Sequence, residues 1–137
     1  MAKGSAHFWK LIAIPTARDQ RGSASFLQVG KEVPFKVKRA YYLYGVPKGK
    51  ARGAHAHKWE KQIIVAVSGS FDVLLEKGKK TKRITLGNPA RALYIAPMVW
   101  REFRNFSKDA VLLALVDDVL DQKEYIRDYA EFKRLAG

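Results

Sequence analysis

The sequence contains no cysteine, which removes disulfides, thiolate metal sites and cysteine nucleophiles together and leaves the redox compartment open. No stretch approaches the roughly 20 consecutive apolar residues that span a bilayer. The N-terminus, Met1 to Trp9, also lacks a long apolar core before any cleavage-like site. A soluble, cytoplasmic protein without membrane contact is the expectation. Acidic residues are scarce: 13 Asp and Glu face 26 Lys and Arg, for a formal net charge of +13. Such a field attracts polyanions of any kind and does not choose among them. The bases are not interleaved with aromatics in one segment and no known nucleic-acid motif is present, so nucleic acid is not an expected partner. The densest cluster, Lys77, Lys79, Lys80, Lys82 and Arg83, surrounds a hairpin turn and reads as a solvated, edge-protecting turn. Internal repeats and low-complexity linkers are absent. Histidine is rare too, at three residues.

What is present fits one globular domain over residues 1–137: 47% hydrophobic content supports one core and leaves little room for a second. Residues 1–7 are expected to be flexible. Short apolar or alternating runs at 8–14, 25–29, 36–44, 62–67, 71–76, 81–86, 92–95, 100–106 and 111–116 are separated by Gly, Pro, Asn and Ser turns. With the histidine strand described below, this spacing predicts an all-β fold, a sandwich, jelly roll or barrel, and not a βαβ fold. On 36–44 the alternation sends Val37, Arg39, Tyr41 and Leu43 to one face and Lys38, Ala40, Tyr42 and Tyr44 to the other. The end differs: Asp121 and Glu124 form a capping-box pattern ahead of Tyr125, Ile126, Tyr129 and Phe132, which predicts one C-terminal helix over 122–136.

The stretch with chemistry in it is Arg52-Gly53-Ala54-His55-Ala56-His57-Lys58. On a strand, a spacing of two points both imidazoles to one face. Two side chains that titrate near neutrality, facing one way, suggest a metal site or a proton-transfer site. The positions Gly49, His55-Ala56-His57, Gln62 and Gly69 resemble the first motif of the cupin superfamily, a small jelly-roll barrel with its site at the mouth. Metal-binding cupins carry a glutamate where this chain has Gln62. Their second motif supplies another histidine soon after a proline, whereas the corresponding stretch from Pro97 to Asn105 holds Arg101 and Arg104 and no histidine. Arginine stays protonated and offers no lone pair. No metal and no cofactor are therefore expected, with Glu102 the remaining candidate ligand and His7 lying in the N-terminal segment. Without a metal, the pair reads as an acid/base site with anion clamps: a histidine removes a proton next to a carbonyl, and cations hold phosphate or an enolate.

A closer resemblance covers nearly the whole chain, from about Phe8 to Phe132. Arg52 to Lys58, Lys38-Arg39-Ala40-Tyr41-Tyr42, Gly69-Ser70, Leu93 to Trp100 and Glu124-Tyr125-Ile126-Arg127-Asp128-Tyr129 are similar to the dTDP-4-keto-6-deoxy-D-glucose 3,4-ketoisomerases. The resemblance implies an all-β cupin jelly-roll barrel of short antiparallel strands with one C-terminal helix. It also implies a metal-free isomerase that moves the ketone of a dTDP-4-keto-6-deoxyhexose from carbon 4 to carbon 3, toward 3-amino-3,6-dideoxy sugars of surface polysaccharides. By the motif match His55 is the base at carbon 3 and His57 its partner. Arg21, Arg39, Tyr42, Arg52, Lys58, Gln62, Arg101 and Arg104 are the candidate substrate-binding residues. Of these, Arg52 and Arg39 are candidates for the phosphates and Tyr42 for the sugar. Arg101 implies a gluco product, and Arg21 is a second candidate determinant of that configuration. A homodimer with exchanged N-terminal strands is implied as well. Two rivals remain beside this reading: a catalytically silent dTDP-sugar-binding cupin, and a dTDP-sugar 3,5-epimerase-like enzyme.

Overall fold

The computed structural model describes residues 8–136; the flexible segment expected at 1–7, with His7, lies outside the described residues. Twelve strands and one helix follow in chain order: β1 Trp9–Ala13, β2 Thr16–Asp19, β3 Gly22–Ser25, β4 Arg39–Tyr44, β5 Arg52–His57, β6 Gln62–Ser68, β7 Phe71–Lys77, β8 Lys80–Leu86, β9 Arg91–Ile95, β10 Trp100–Arg104, β11 Val111–Val116, β12 Tyr125–Ile126 and α1 Tyr129–Ala136. They form two five-stranded sheets, β1-β9-β6-β11-β4 and β12-β5-β10-β7-β8, and a separate two-stranded hairpin, β2-β3. This is the jelly-roll architecture the sequence predicts.

The core forms where the inner faces of the two sheets meet. Ile64, Leu93, Ile95, Leu112 and Ala114 from the first sheet pack against Phe71, Val73, Leu75 and Phe103 from the second. Period-two alternation dictates this on β7, whose odd residues from Phe71 to Leu75 are buried while Asp72 and Leu74 between them are not. β6 departs from alternation, with Gln62 through Ala66 all buried. Its outer face is covered too: Val33 and Phe35, in the segment before β4, lie on Ile63, Val65 and Ala92.

Two expected elements differ. No strand forms over 25–29; β3 ends at Ser25, and only Val29 makes an isolated bridge, to Val33. Of this segment only Leu27 packs in the cluster that covers β6, while Phe26 and Val29 are exposed and the backbone stays outside the sheets. The C-terminal helix begins at Tyr129 and not at Gln122. Asp121 caps only one 3-10 turn, Gln122–Glu124, after which Tyr125 and Ile126 pair with His57 and Ala56 of β5. The helix cap is Asp128, whose carboxylate accepts from the Ala130 amide at 2.9 Å. Phe132 and Tyr129 then anchor the helix on Trp100, with ring centroids at 5.5 and 5.2 Å.

Candidate active site

β5 brings Gly53, His55 and His57 to one face because they are two residues apart. β10 runs beside it, pairing Arg101 with His55. Gly53 sits at φ +70°, and a Cβ there would lie 2.7 Å from the Phe103 ring, so the chain can pass this close to the core only without a side chain. The result is a cleft of about 430 Å³, within the usual range for small-ligand sites. Arg39, Tyr41 and Leu43 of β4 form one wall, and Arg52, Gly53 and His55 of β5 another. Phe103 adds an apolar patch, and Leu120, Tyr125 and Arg127 come from the chain after β11.

His55 lines this cleft; His57 lies behind it, fully buried. Their Nε2 atoms are 3.0 Å apart and the rings meet edge-on, with Tyr125 against both. The Gln62 amide nitrogen is 3.1 Å from the same His57 Nε2, and the Gln62 oxygen accepts from Arg101 Nη1 at 3.0 Å. The other ring nitrogen of His57 meets the buried Glu124 carboxylate. Glu60, also buried, lies 3.4 Å from that nitrogen and is held by Arg39, whose guanidinium also donates to the Asp118 carbonyl. Burial, and then the Arg101 charge, push both histidines down to about 2, so both imidazoles are neutral at physiological pH. Burial lowers Arg101 to about 10, which leaves it protonated. One of its nitrogens, Nη2, has no hydrogen-bond partner among the described residues.

The ring nitrogen of His57 and the carboxylates of Glu60 and Glu124 lie within 4.8 Å of one another. This set suits a cation poorly. Arg39 already occupies both oxygens of Glu60, and the buried Arg101 faces the same histidine. Glu102, the other candidate ligand, is on the outer side of β10, where it accepts from Trp100 and Arg104.

The structure brings together some of the expected site residues and separates others. His55, Arg39 and Arg52 line the cleft, while His57, Gln62 and Arg101 form the fully buried layer beside it. Tyr42 is on the outer face of β4, 62% exposed and stacked on Tyr44; the tyrosine that shares the Arg39 face is Tyr41. Arg104 is three positions from Arg101 and so points out of the barrel, paired with Glu102. Lys58 is exposed just past the end of β5 and lines no part of the cleft; its backbone amide donates to the Glu124 carbonyl. Arg21 is at the tip of the β2-β3 hairpin, 90% exposed and bonded to Asp19. The site residues not singled out beforehand are Tyr41, Phe103, Tyr125, Arg127, Glu60 and Glu124. Strand parity alone marks Tyr41 and Phe103.

The family described as FdtA: WxcM-like, C-terminal matches residues 7–137. A TDP-4-oxo-6-deoxy-alpha-D-glucose-3,4-oxoisomerase from Aneurinibacillus thermoaerophilus is 40% identical over 125 residues, covering 91% of this chain and 90% of its own. The chain belongs to the dTDP-4-keto-6-deoxy-D-glucose 3,4-ketoisomerase family. Two solved ketoisomerases agree in three dimensions. WlaRB from Campylobacter jejuni, a TDP-quinovose 3,4-ketoisomerase, is 44% identical with a TM-score of 0.89, over 93% of this chain and 98% of its own. QdtA from Thermoanaerobacterium thermosaccharolyticum, solved as a histidine-to-asparagine mutant in complex with TDP-4-keto-6-deoxyglucose, is 33% identical with a TM-score of 0.92, over 95% and 94%. The fold expected for a ketoisomerase is therefore the fold this chain adopts, with the histidine strand forming one wall of the cleft.

Proposed function

We propose that this ketoisomerase family member converts dTDP-4-keto-6-deoxy-D-glucose to a dTDP-3-keto-6-deoxy-D-hexose, on the route to 3-amino-3,6-dideoxy sugars. The observation that carries the reading is a neutral histidine, His55, lining a cation-bearing cleft and bonded to a second neutral histidine behind it. A neutral imidazole is the form able to accept a proton. In the reaction the C3–H bond breaks and the proton goes to His55. The bonding pair becomes the C3=C4 double bond, and the former carbonyl oxygen at carbon 4 takes the charge and a proton. Loss of the proton on the carbon 3 oxygen and protonation at carbon 4 complete the exchange of ketone and hydroxyl. Arg101 is fully buried and does not line the cleft; with Nη2 unpartnered beside the pair, its charge favours the enediolate from behind the histidines and not by direct donation. By the family resemblance Arg101 favours the gluco configuration.

Arg52 and Arg127 supply cations for the diphosphate at the cleft mouth. The family's homodimer with exchanged N-terminal strands is part of the same reading. Among the described residues the β2-β3 hairpin pairs with no other strand and is almost wholly exposed, which suits an element that docks on a partner and carries Arg21 there. The charged substrate does not cross a bilayer unaided, which suits a cytoplasmic enzyme.

The test is proton NMR of dTDP-4-keto-6-deoxyglucose in D2O with a chelator present, using the wild type and His55→Asn. Exchange at carbon 3 and a 3-keto product with the wild type alone support the reading, and the coupling at carbon 4 reports the configuration. An untouched substrate that still binds makes the protein a binding module and overturns it.

A further inference from the structure

His57 is fully buried and does not line the cleft, so its contribution has to pass through His55. Its two nitrogens are assigned different states by their neighbours. Arg101 can only donate, so the Gln62 atom facing it must be the oxygen, which leaves the Gln62 amide nitrogen facing His57 Nε2. That nitrogen donates, so Nε2 of His57 must carry the lone pair and Nδ1 the proton. The Glu124 carboxylate sits at Nδ1 as its acceptor, and its second oxygen is held by the backbone amides of Trp59 and Glu60. The hydrogen between the two imidazoles then belongs to His55 Nε2, shared with Gln62 on the one His57 lone pair. Resting His55 is left with its lone pair on Nδ1.

We infer that Glu124 is a positioning residue for the isomerisation: acting through His57, it fixes which nitrogen of His55 is the base. This inference rests on the reading of His55 as the base at carbon 3. The proton balance follows. The carbon 3 proton goes to His55 Nδ1, and the Nε2 hydrogen of His55 shifts toward His57 Nε2. The positive charge thereby comes to rest on the ring that Glu124 and Glu60 flank, and the return of both protons delivers one to carbon 4. Arg101 and Arg39 are the cations facing this ring from β10 and β4, with Arg127 beyond. Without the Glu124 charge they oppose the transfer.

The experiment uses full-length protein labelled with 15N-histidine, long-range 1H–15N correlation spectra to read each tautomer, and steady-state kinetics. The expected result is an Nδ1–H tautomer for His57. Glu124→Gln should lose 100-fold or more in kcat, in keeping with the loss when a histidine's carboxylate partner is neutralised elsewhere, with KM changed less than two-fold because Glu124 does not line the cleft. Glu124→Asp, keeping the charge, should recover part of the kcat. Gln62→Glu, which replaces the donor by an acceptor, should move a proton onto His57 Nε2, and it serves as the independent variant if Glu124→Gln does not fold. An Nε2–H tautomer in the wild type, or a folded Glu124→Gln with kcat within two-fold, overturns the inference. If His55→Asn retains turnover, it is the base assignment that has failed.

Discussion

Replacing Arg39 by methionine tests how the buried charges behind the histidines are held. Arg39 donates to both oxygens of Glu60 at 3.1 and 3.3 Å, and the Glu60 side chain has no exposure. Removing one partner of such a pair costs about 3–5 kcal/mol because the other charge stays buried. Glu60 has an escape, which is to bind a proton. Burial already raises it above its ordinary 4.5, and protonating a carboxyl of that reference value at pH 7 costs about 3.4 kcal/mol, at 1.36 kcal/mol per pH unit. The charge penalty in Arg39→Met is therefore capped at about 3.4 kcal/mol at pH 7 and at about 0.7 kcal/mol at pH 5. The lost bond to Asp118 adds about 1 kcal/mol independent of pH. The sign follows from linkage: a carboxyl whose folded pKa is raised holds a proton that the unfolded chain has released, so its penalty grows as pH rises above the unfolded value. Urea denaturation of the wild type, Arg39→Met, Glu60→Gln and the double variant at both pH values measures this. The wild-type-minus-Arg39→Met difference should shrink by about 2–3 kcal/mol between pH 7 and pH 5, and the double variant should be more stable than Arg39→Met at pH 7. A difference that does not depend on pH, or single losses that simply add in the double variant, would refute a buried, charge-balanced pair.

Because burial and Arg101 hold His55 down at about 2, kcat/KM should stay flat from pH 8 to about 5.5, where an ordinary imidazole would give a limb near 6.5; a limb at 6.5 sinks the neutral-pair description. Gly53→Ala places a methyl 2.7 Å from Phe103 at φ +70°, and the left-handed backbone and overpacking together should lower stability by about 2–4 kcal/mol in thermal or urea unfolding. Tyr41→Phe should alter turnover or KM while Tyr42→Phe leaves the isolated subunit's cleft unchanged; the reverse ranking would place the outer face of β4 in a site completed by a second subunit. Arg52→Ala and Arg127→Ala should each raise KM at least ten-fold, and Arg104→Ala less than two-fold; equal effects would show that bulk positive charge, not the cleft mouth, holds the diphosphate.

The architecture was legible because strands announce themselves by alternation and turns. β7, β9 and β11 fall within a residue or two of their expected positions. The misplacements have physical causes. Residues 25–29 carry strand-like composition, yet Leu27 within them and Val33 and Phe35 after them pack over β6 while the segment itself joins no sheet. Glu124 fits a capping box, but Tyr125 and Ile126 find open hydrogen bonds on β5, and a two-residue strand is too short to leave a period in sequence. Within the site, parity held the answer in two places. Arg39 and Tyr42 cannot share a face of β4, nor can Arg101 and Arg104 share a face of β10, so only Arg39 and Arg101 turn toward the site. Glu60 lies between strands, and its link to Arg39 crosses 21 positions, a separation that no local pattern encodes.

The charges of this site are layered, and that arrangement gives part of the chain's +13 a place to act. Behind the histidines two cations, Arg39 and Arg101, face two buried carboxylates, Glu60 and Glu124, so the inner layer is balanced, while burial and then the Arg101 charge keep the imidazoles neutral. At the cleft mouth Arg52 and Arg127 pair with no carboxylate among the described residues; Arg127 lies 4.4 Å over the Tyr125 ring and donates to Gln122. Under the proposed function a diphosphate therefore meets uncompensated positive charge on entry, while the keto sugar beyond it meets neutral imidazoles. If the two layers were exchanged, the base would be protonated by a neighbouring carboxylate field and the anion would have no counter-charge. On the proposed reading, the order of the layers, more than the total charge, lets one small barrel bind a dianion and remove a proton from carbon within the same cleft.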